Sequence, residues 1–419
     1  MSFFEFTFWA GLALLFFTFV GYPLLLWLLA FAHTSRHRSV FSFPLSNLRA
    51  PNFSATVVLC VHNEETRIVQ RIQNLLHSDY PTDRLNIVVV SDGSSDQTVA
   101  GLSEFIKTCA GDRVELLVQP HRTGKAYGLN LAVAKATGEI VVFVDARQHF
   151  ETATIHRLVA RFIDSRVGAV SGALDIAGSC TNTGCGVDAY WRLEKFVRRH
   201  ESALGTTIGC TGAVYAICRG LFRPLPQDTI LDDVIIPMAI LSQGHRVVFE
   251  PLAVAFDPQR LEPGRERTRK RRTLAGNYQM FFRYPGWLLP WRNRAWWQLV
   301  SHKYLRLLAP WLLLSILAAN LALANQTFYL WTLAGQASLY LLASWGFCFA
   351  RFNFRLLTLP AGFVFLNAMA VAGLFHYVRG GANGLWERDG GCVGGETQHG
   401  RHKAKLGSGE REPGRLEAA

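Results

Sequence analysis

Ile87-Val88-Val89-Val90-Ser91-Asp92-Gly93-Ser94-Ser95-Asp96-Gln97-Thr98 is the stretch on which the reading of this 419-residue chain turns. Four consecutive β-branched residues suit a strand buried on both faces. The run ends on a carboxylate and then on Gly and Ser, which favour a turn. Comparable apolar runs occupy 55–61, 114–118 and 140–144, with helical stretches near 64–77, 96–109 and 124–136 between them. This alternation predicts a β-α-β series of the doubly wound type, in which ligands bind at the carboxyl ends of the strands.

Three of those strand ends carry acids: Val61-His62-Asn63-Glu64-Glu65, then Ser91-Asp92-Gly93, then Val144-Asp145-Ala146-Arg147. For Glu65 and Asp96, capping or first-turn placement on a helix is role enough. Asp92 and Asp145 each follow an apolar strand directly, where an unpartnered carboxylate is costly to bury. A shared polar ligand or cation would account for both.

The flanks are of a different kind. The chain holds 43 Lys and Arg against 31 Asp and Glu, a net +12 that is unevenly spread. Residues 51–259 carry 19 basic and 22 acidic groups, whereas 260–306 carry 12 basic and two acidic. Residues 6–32 and 307–350 contain no charged residue, enough for one crossing and for two. Asn320, Asn325, Gln326 and Thr327 mark the expected turn of the second stretch, and 356–378 is a further apolar segment containing Pro360. Whether that last segment crosses is left open.

Ala30-Phe31-Ala32 imitates a signal-peptidase site, but the segment before it is long and begins with Glu5 instead of basic residues, so a retained anchor is expected. Arg36, Arg38 and Arg49, with the basic stretch 260–306, place residues 33–306 in the cytoplasm by the positive-inside rule. The eight cysteines show no metal-binding spacing and read as reduced, small core hydrophobes.

In order along the chain stand Val61-x-Asn63-Glu64, Asp92-Gly93-Ser94-Ser95-Asp96-x-Thr98, Gly124-Lys125-x-x-x-Leu129-Asn130, Asp145-Ala146-Arg147, Thr211-Gly212-Ala213 and Asp232-Asp233. Through these residues the chain resembles the membrane-bound bacterial branch of the inverting family 2 glycosyltransferases, which is related to cellulose and poly-N-acetylglucosamine synthase catalytic subunits. The resemblance implies an α/β GT-A (Rossmann-like, nucleotide-diphospho-sugar transferase) domain inserted between transmembrane helices. Glu64 and Asp92 would contact the nucleoside, backbone around Val61 would line the same site, and Lys125 would lie near the nucleotide. Asp145 would be the first acid of the family's Asp-x-Asp metal site and bind Mg²⁺ or Mn²⁺.

Where that motif has its second acid, this chain has Arg147. Either Asp145 with diphosphate and water suffices, or Arg147 assists the diphosphate as a cation. Asp233 would be the catalytic base, with Asp232 the acid before it; the alternative is that the pair only caps a helix over 233–243. His149 could be recruited to the metal, or be a surface histidine.

Residues 262–306 interleave basic groups with aromatics directly before an apolar span, which describes amphipathic helices in the membrane interface and not a nucleic-acid site. Processive relatives carry Gln-x-x-Arg-Trp here; this chain has Arg269-x-x-Arg272-Thr273, keeping Arg272 on the acceptor side and losing the Trp. The expected organisation is an anchor (1–32), a basic linker (33–53), the GT-A domain (54–259), interfacial helices (260–303), two or three C-terminal spans (304–378) and a disordered tail (379–419). The expected function is transfer of one sugar from a nucleotide-sugar, a UDP-sugar by expectation, to a lipid-linked or saccharide acceptor. The setting is the cytoplasmic face of a bacterial inner membrane, with lipids as partners. The rivals are a processive synthase, a non-catalytic scaffold suggested by Arg147, and a transporter, disfavoured by the lack of charge in the spans.

Overall fold

The computed structural model describes residues 1–36, 52–176, 184–257, 263–348 and 355–380. The expected roles of Arg38 and Arg49, of Cys180 and Cys392, and of the tail from 381 onward lie outside the described residues, as does the Cys185 side chain.

The N-terminal helix runs as α1 (Phe3–Phe16), a π turn (Phe17–Gly21) and α2 (Tyr22–Arg36). Glu5, the one acid of the first apolar stretch, closes a capping box: its carboxylate accepts from Ser2 N at 2.7 Å while Ser2 Oγ accepts from Glu5 N at 3.2 Å. The domain then runs β1 (Ala55–Val61), α3 (Ile68–Leu76), β2 (Leu85–Asp92), α4 (Thr98–Phe105), β3 (Val114–Gln119), α5 (Lys125–Lys135) and β4 (Ile140–Val144). It continues through β5 (His149–Phe150), α6 (Thr154–Ala160), β6 (Val167–Ile176), α7 (Gly184–Ala203), β7 (Val214–Cys218), α8 (Asp232–Ser242) and β8 (Arg246–Asp257). Next come α9 (Pro263–Arg283), α10 (Trp296–Leu299), a π turn (Val300–Tyr304), α11 (Leu305–Ala322), α12 (Thr327–Cys348) and α13 (Arg355–Val378).

One eight-stranded sheet has the order β3-β2-β1-β4-β7-β6-β8-β5. Its first half, β3 to β4, is parallel as expected, and every residue of β1 and β4 is buried. The second half departs from the doubly wound expectation. β7 enters antiparallel between β4 and β6, so the sheet is mixed. The consequence is local: Val144 pairs with Val214, which sets Thr211-Gly212-Ala213 beside Asp145. A purely parallel sheet would carry that loop to the opposite edge.

Among the described residues, three helices are long and apolar enough to cross a membrane: Phe3–His33, Trp296–Ala322 and Leu356–Val378. The second begins at Trp296, inside the stretch expected to be interfacial. Only 22% of the first helix's most apolar window is buried, and Trp9, Phe16, Leu24, Trp27 and Leu314 face outward, so these faces suit lipid. α12 packs against α11 and α13. Asn320 does not turn the chain: it is buried in α11, donating to Gln336 Oε1 at 3.1 Å and accepting from Thr332 Oγ1 at 2.8 Å. The turn follows at Leu323–Gln326, because a polar pair between facing helices satisfies groups that lipid would leave bare. Among the described cysteines, Cys60 and Cys210 are core residues, whereas Cys109 and Cys348 are exposed near helix ends.

α9 is docked as well as basic. A Cβ on Gly276 would stand 2.6 Å from Leu231 Cγ, so glycine is what lets α9 lie against the segment leading to Asp232. Gln279 fixes the same segment, accepting from Ile230 N at 3.1 Å and donating to Asp228 O at 2.8 Å. On its other side α9 packs along α13. α9 therefore joins α13, one of the helices apolar enough to span a membrane, to the loop that presents the paired acids.

Candidate active site

The strand ends assemble in the order the sheet dictates. Val61 closes β1 and is buried; Asn63 follows in the left-handed region at φ 55°, and its side chain accepts from Ser95 N at 2.8 Å. Glu64 N donates to Thr98 Oγ1 at 2.8 Å, and its carboxylate lies 3.6 Å from Arg67. Asp96 accepts from Thr98 N at 3.0 Å and from Glu65 N at 3.2 Å, while Glu65 accepts from Gln97 N at 2.9 Å. Neither of these last two acids takes the N-cap or first-turn place on α3 or α4 that the sequence predicts; both instead bond backbone amides of the loops that precede and open these helices.

Asp92 is wholly buried and, among the described residues, shares no partner with Asp145. One oxygen accepts from Thr123 N at 2.7 Å and Thr123 Oγ1 at 3.0 Å; the other accepts from Gly124 N at 2.9 Å. The amides at the start of α5 thus compensate its charge. The effect is to fix the first residue of that helix, Lys125.

Lys125 is the hub. Its ammonium stands 3.1 Å from Asp145 Oδ1 and 3.3 Å from Asp232 Oδ1. Burial on its own would lower its pKa, but Asp145, Asp232 and Asp233 raise it, so it stays charged. Asp232 Oδ2 accepts from Tyr215 Oη at 3.1 Å, and the Tyr215 ring stacks on Phe143 at 4.5 Å, across the antiparallel β4–β7 pair. Asp232 is accordingly satisfied on both oxygens.

Asp233 is different. Among the described residues its carboxylate makes no hydrogen bond. Burial, then the charge of Asp232, push its pKa up to about 6, against the opposing pull of Lys125, Arg198 and Lys303. A Cβ on residue 212 would lie 3.2 Å from Asp233 Oδ2, so Gly212 allows the acid its position. A carboxyl that is half-buried, unbonded and titrating near neutrality has the properties of a general base.

Two sequence candidates fall elsewhere. The Arg147 guanidinium faces Asp257 at the end of β8, with Nε at 3.1 Å and Nη2 at 2.6 Å from one oxygen, to which Gln148 also donates at 3.0 Å. Asp257 is 2% exposed and needs a cation, which is the physical reason the arginine turns from the strand-end cleft. His149 pairs with Asn74 at 3.1 Å on β5. Arg272 lies one helical turn before Gly276, on the α9 face that meets the Asp232 segment.

Residues missed from the sequence surround this group. Arg71 is buried, donates to Asp145 O at 3.1 Å and lies 4.2 Å over the Phe150 ring; burial lowers its pKa to about 9, with Asp145 opposing. Arg198 donates to Thr211 Oγ1 at 3.0 Å and to Glu194 Oε1 at 3.1 Å. The spacing Glu194, Arg198, Glu201 along one helix face was the available signal.

A divalent cation fits this donor set in one way. Among the described residues no three His, Cys, Asp or Glu side chains are grouped to hold a metal. Asp145, with 38% of its side chain exposed, offers a carboxylate, and Lys125 already fills the space toward Asp232. One carboxylate completed by diphosphate oxygens and water is how Mg²⁺ is usually held in such sites.

A mixed sheet with nucleotide-type β-α-β units and acids at the strand ends defines the GT-A class of sugar-nucleotide folds. Residues 56–223 match the sequence model of Glycosyl transferase family 2, so the chain carries a family 2 glycosyltransferase domain. Among relatives, it is 24% identical over 216 residues to Bacillus subtilis (strain 168) YdaM, described as a probable glycosyltransferase, covering 49% of this chain and 50% of that one. It is 24% identical over 206 residues to the poly-beta-1,6-N-acetyl-D-glucosamine synthase of Staphylococcus aureus (strain COL), covering 48% and 49%. The chain spans about half the length of the curated relatives it matches. Among solved structures, the mannosyltransferase PcManGT from Pyrobaculum calidifontis, in complex with GDP-Man and Mn²⁺, superposes with a TM-score of 0.67 at 24% identity over 88% of this chain and 97% of that one, a likeness of fold.

Proposed function

We propose that the protein is an inverting glycosyltransferase that moves one sugar from a nucleotide-sugar to a membrane-associated acceptor, lipid-linked or polysaccharide, with Asp233 as the base. The observation that carries this reading is the contrast between the paired acids: Asp232 is neutralised by Lys125 and Tyr215, while Asp233 stands unbonded with its pKa raised to about 6. In a direct displacement the acceptor hydroxyl gives its proton to the Asp233 carboxylate as its oxygen bonds to the anomeric carbon. The bond from that carbon to the diphosphate breaks on the opposite face, and the leaving charge is met by Lys125. Glu64, Asp92 and the backbone at Val61 belong to the nucleoside side, Asp92 acting through the α5 start that it fixes. A Mg²⁺ or Mn²⁺ ion held by Asp145 would neutralise charge on the leaving diphosphate.

The donor is expected to be a UDP-sugar. The domain faces the cytoplasm of a bacterial inner membrane crossed more than once, which the basic flanks of the spans support. Thr273 in place of a stacking Trp supports single transfer. The name of the Staphylococcus aureus relatives favours the processive rival, which product length separates. Full-length protein in lipid nanodiscs, supplied with UDP- and GDP-sugars, Mg²⁺ or Mn²⁺ and an extract of membrane lipids, should release nucleoside diphosphate and yield a singly extended product. A ladder of long products would establish processivity, and no release with any donor would establish a scaffold.

The base assignment also sets a pH dependence. Protonated Asp233 cannot accept the acceptor's proton, so kcat/KM should rise with pH through about 6 and level off above it. A profile flat between roughly pH 5 and pH 8 would contradict the assignment.

A further inference from the structure

A second polar cluster, buried at its centre, is used by none of the steps above. His302, 1% exposed, sits between two carboxylates of α7: its Nε2 is 2.9 Å from Glu194 Oε2 and its Nδ1 3.0 Å from Glu201 Oε1. Glu194 also meets Arg306 at 2.9 Å, Arg198 at 3.1 Å and Lys303 at 3.6 Å. Glu201, 0% exposed, accepts from Tyr22 Oη at 2.6 Å and from Thr207 Oγ1 at 2.8 Å.

Both glutamates accept from several donors at once. His302 sets one ring nitrogen against each of them, so a single imidazole ties the two carboxylates together. Against the burial that would raise it, His302, then Lys303 and Arg198, hold the Glu194 carboxyl well below its usual range, and Arg306 pairs with it as well. Packed apolar side chains would hold these helices together at least as well, so stability alone does not account for the cluster.

Its members come from two directions. Tyr22 belongs to the first membrane-crossing helix, and His302, Lys303 and Arg306 to the second, the first two of these on its π turn. Arg198 leads to the site, since Thr211, which its Nη1 bonds, precedes the Gly212 that touches Asp233. The charged or titratable groups facing Asp233 are Asp232 from α8, Lys125 from α5, Arg198 from α7, Lys303 from the π turn, Tyr215 from β7 and Cys210 from the loop before it.

We infer that His302, bridging Glu194 and Glu201, is a positioning residue that couples the seating of two membrane-crossing helices to the catalytic base, by holding Arg198 and Lys303 behind Asp233. This rests on the assignment of Asp233 as base. The balance of charge gives the two ends of the bridge opposite effects. Removing the Glu194 charge frees Arg198 and Lys303 to act on Asp233, which favours its ionised form. Removing the His302 ring takes its contact from both glutamates, which then draw Arg198 and Lys303 away from Asp233.

The test is the pH dependence of kcat/KM for full-length protein in nanodiscs, with UDP-sugar donors. Glu194→Gln should move the acid limb to lower pH and His302→Gln to higher pH, each by about half a unit, since these charges lie behind the base and not against it. Lys303→Met, a peripheral member with a partly exposed side chain, should follow His302→Gln and serves if the buried variants fail to fold. Shifts of opposite sign support the coupling. Lowered kcat with the limb unmoved, or shifts of one sign in Glu194→Gln and Lys303→Met, would overturn it. Asp233→Asn separates the two claims: if it keeps the wild-type rate and limb, the base assignment fails; if it is inactive while the limb ignores the cluster, only the coupling fails.

Discussion

Asp233→Asn should lower sugar transfer by about 10³-fold while leaving donor affinity within about twofold, because it removes only proton acceptance in the transition state. The side chain keeps its size beside Gly212, so the acceptor site is not reshaped. The same substitution should raise the protein's melting temperature. Folding raises the Asp233 pKa from an ordinary 3.8 to about 6, so the native state holds this proton more tightly than the unfolded chain. A carboxyl raised on folding contributes stability below its unfolded pKa, and that contribution is lost as pH rises through the folded value. At neutral pH the wild type therefore carries an ionised, half-buried acid beside Asp232, and Asn relieves that repulsion. Activity lost with stability gained is the signature of a group kept for chemistry. Turnover in pre-steady-state assays and melting by calorimetry check the two halves separately. A fall in both would mean that Asp233 mainly holds the fold.

Lys125→Met should cost about 10²-fold in turnover, the scale seen when a preorganised group on developing charge is removed. It should also change what the site binds. In the wild type the ammonium lies between Asp145 and Asp232, at 3.1 and 3.3 Å, so Mn²⁺ is expected to bind measurably only when a nucleoside diphosphate supplies further oxygens. Without the ammonium the two carboxylates face each other uncompensated. Mn²⁺ should then bind in the absence of nucleotide, which electron paramagnetic resonance of free and bound ion detects directly. The loss of Lys125 also removes a charge that opposes the rise of the Asp233 pKa, so the acid limb should move upward. Nucleotide-free Mn²⁺ binding by the wild type, equal to that of the variant, would show that Lys125 does not occupy the cation's place.

The parallel half of the sheet and the acids at its strand ends were legible because each depends on local pattern. A run such as Ile87–Val90 with a turn after Asp92 says strand, end and exit by itself. What pairs with what was not legible. Asp92 and Asp145 look alike in the sequence, yet one is compensated by the α5 amides and the other by Lys125. Arg147 reads as a replacement for a metal ligand, but its destination is Asp257, 110 residues on, at the end of a strand that the apolar pattern does not distinguish. His302, on the π turn before α11, and Glu194, on α7, are separated by 108 residues and meet only in the folded chain. The antiparallel insertion of β7 belongs to the same class, since strand order is a tertiary choice. Asn320 shows the complementary error, a polar residue taken for a turn that instead bonds Gln336 across two helices.

The central claim is a single displacement at the anomeric carbon with Asp233 as base, and the configuration of the first-formed product tests it without knowledge of the natural acceptor. Donor hydrolysis by the nanodisc-embedded protein, with water in place of the acceptor, can be followed by proton nuclear magnetic resonance before the released sugar mutarotates. From an α-linked nucleotide-sugar the account predicts that the β anomer is released first, and that Asp233→Asn abolishes it. Initial release of the α anomer would contradict it.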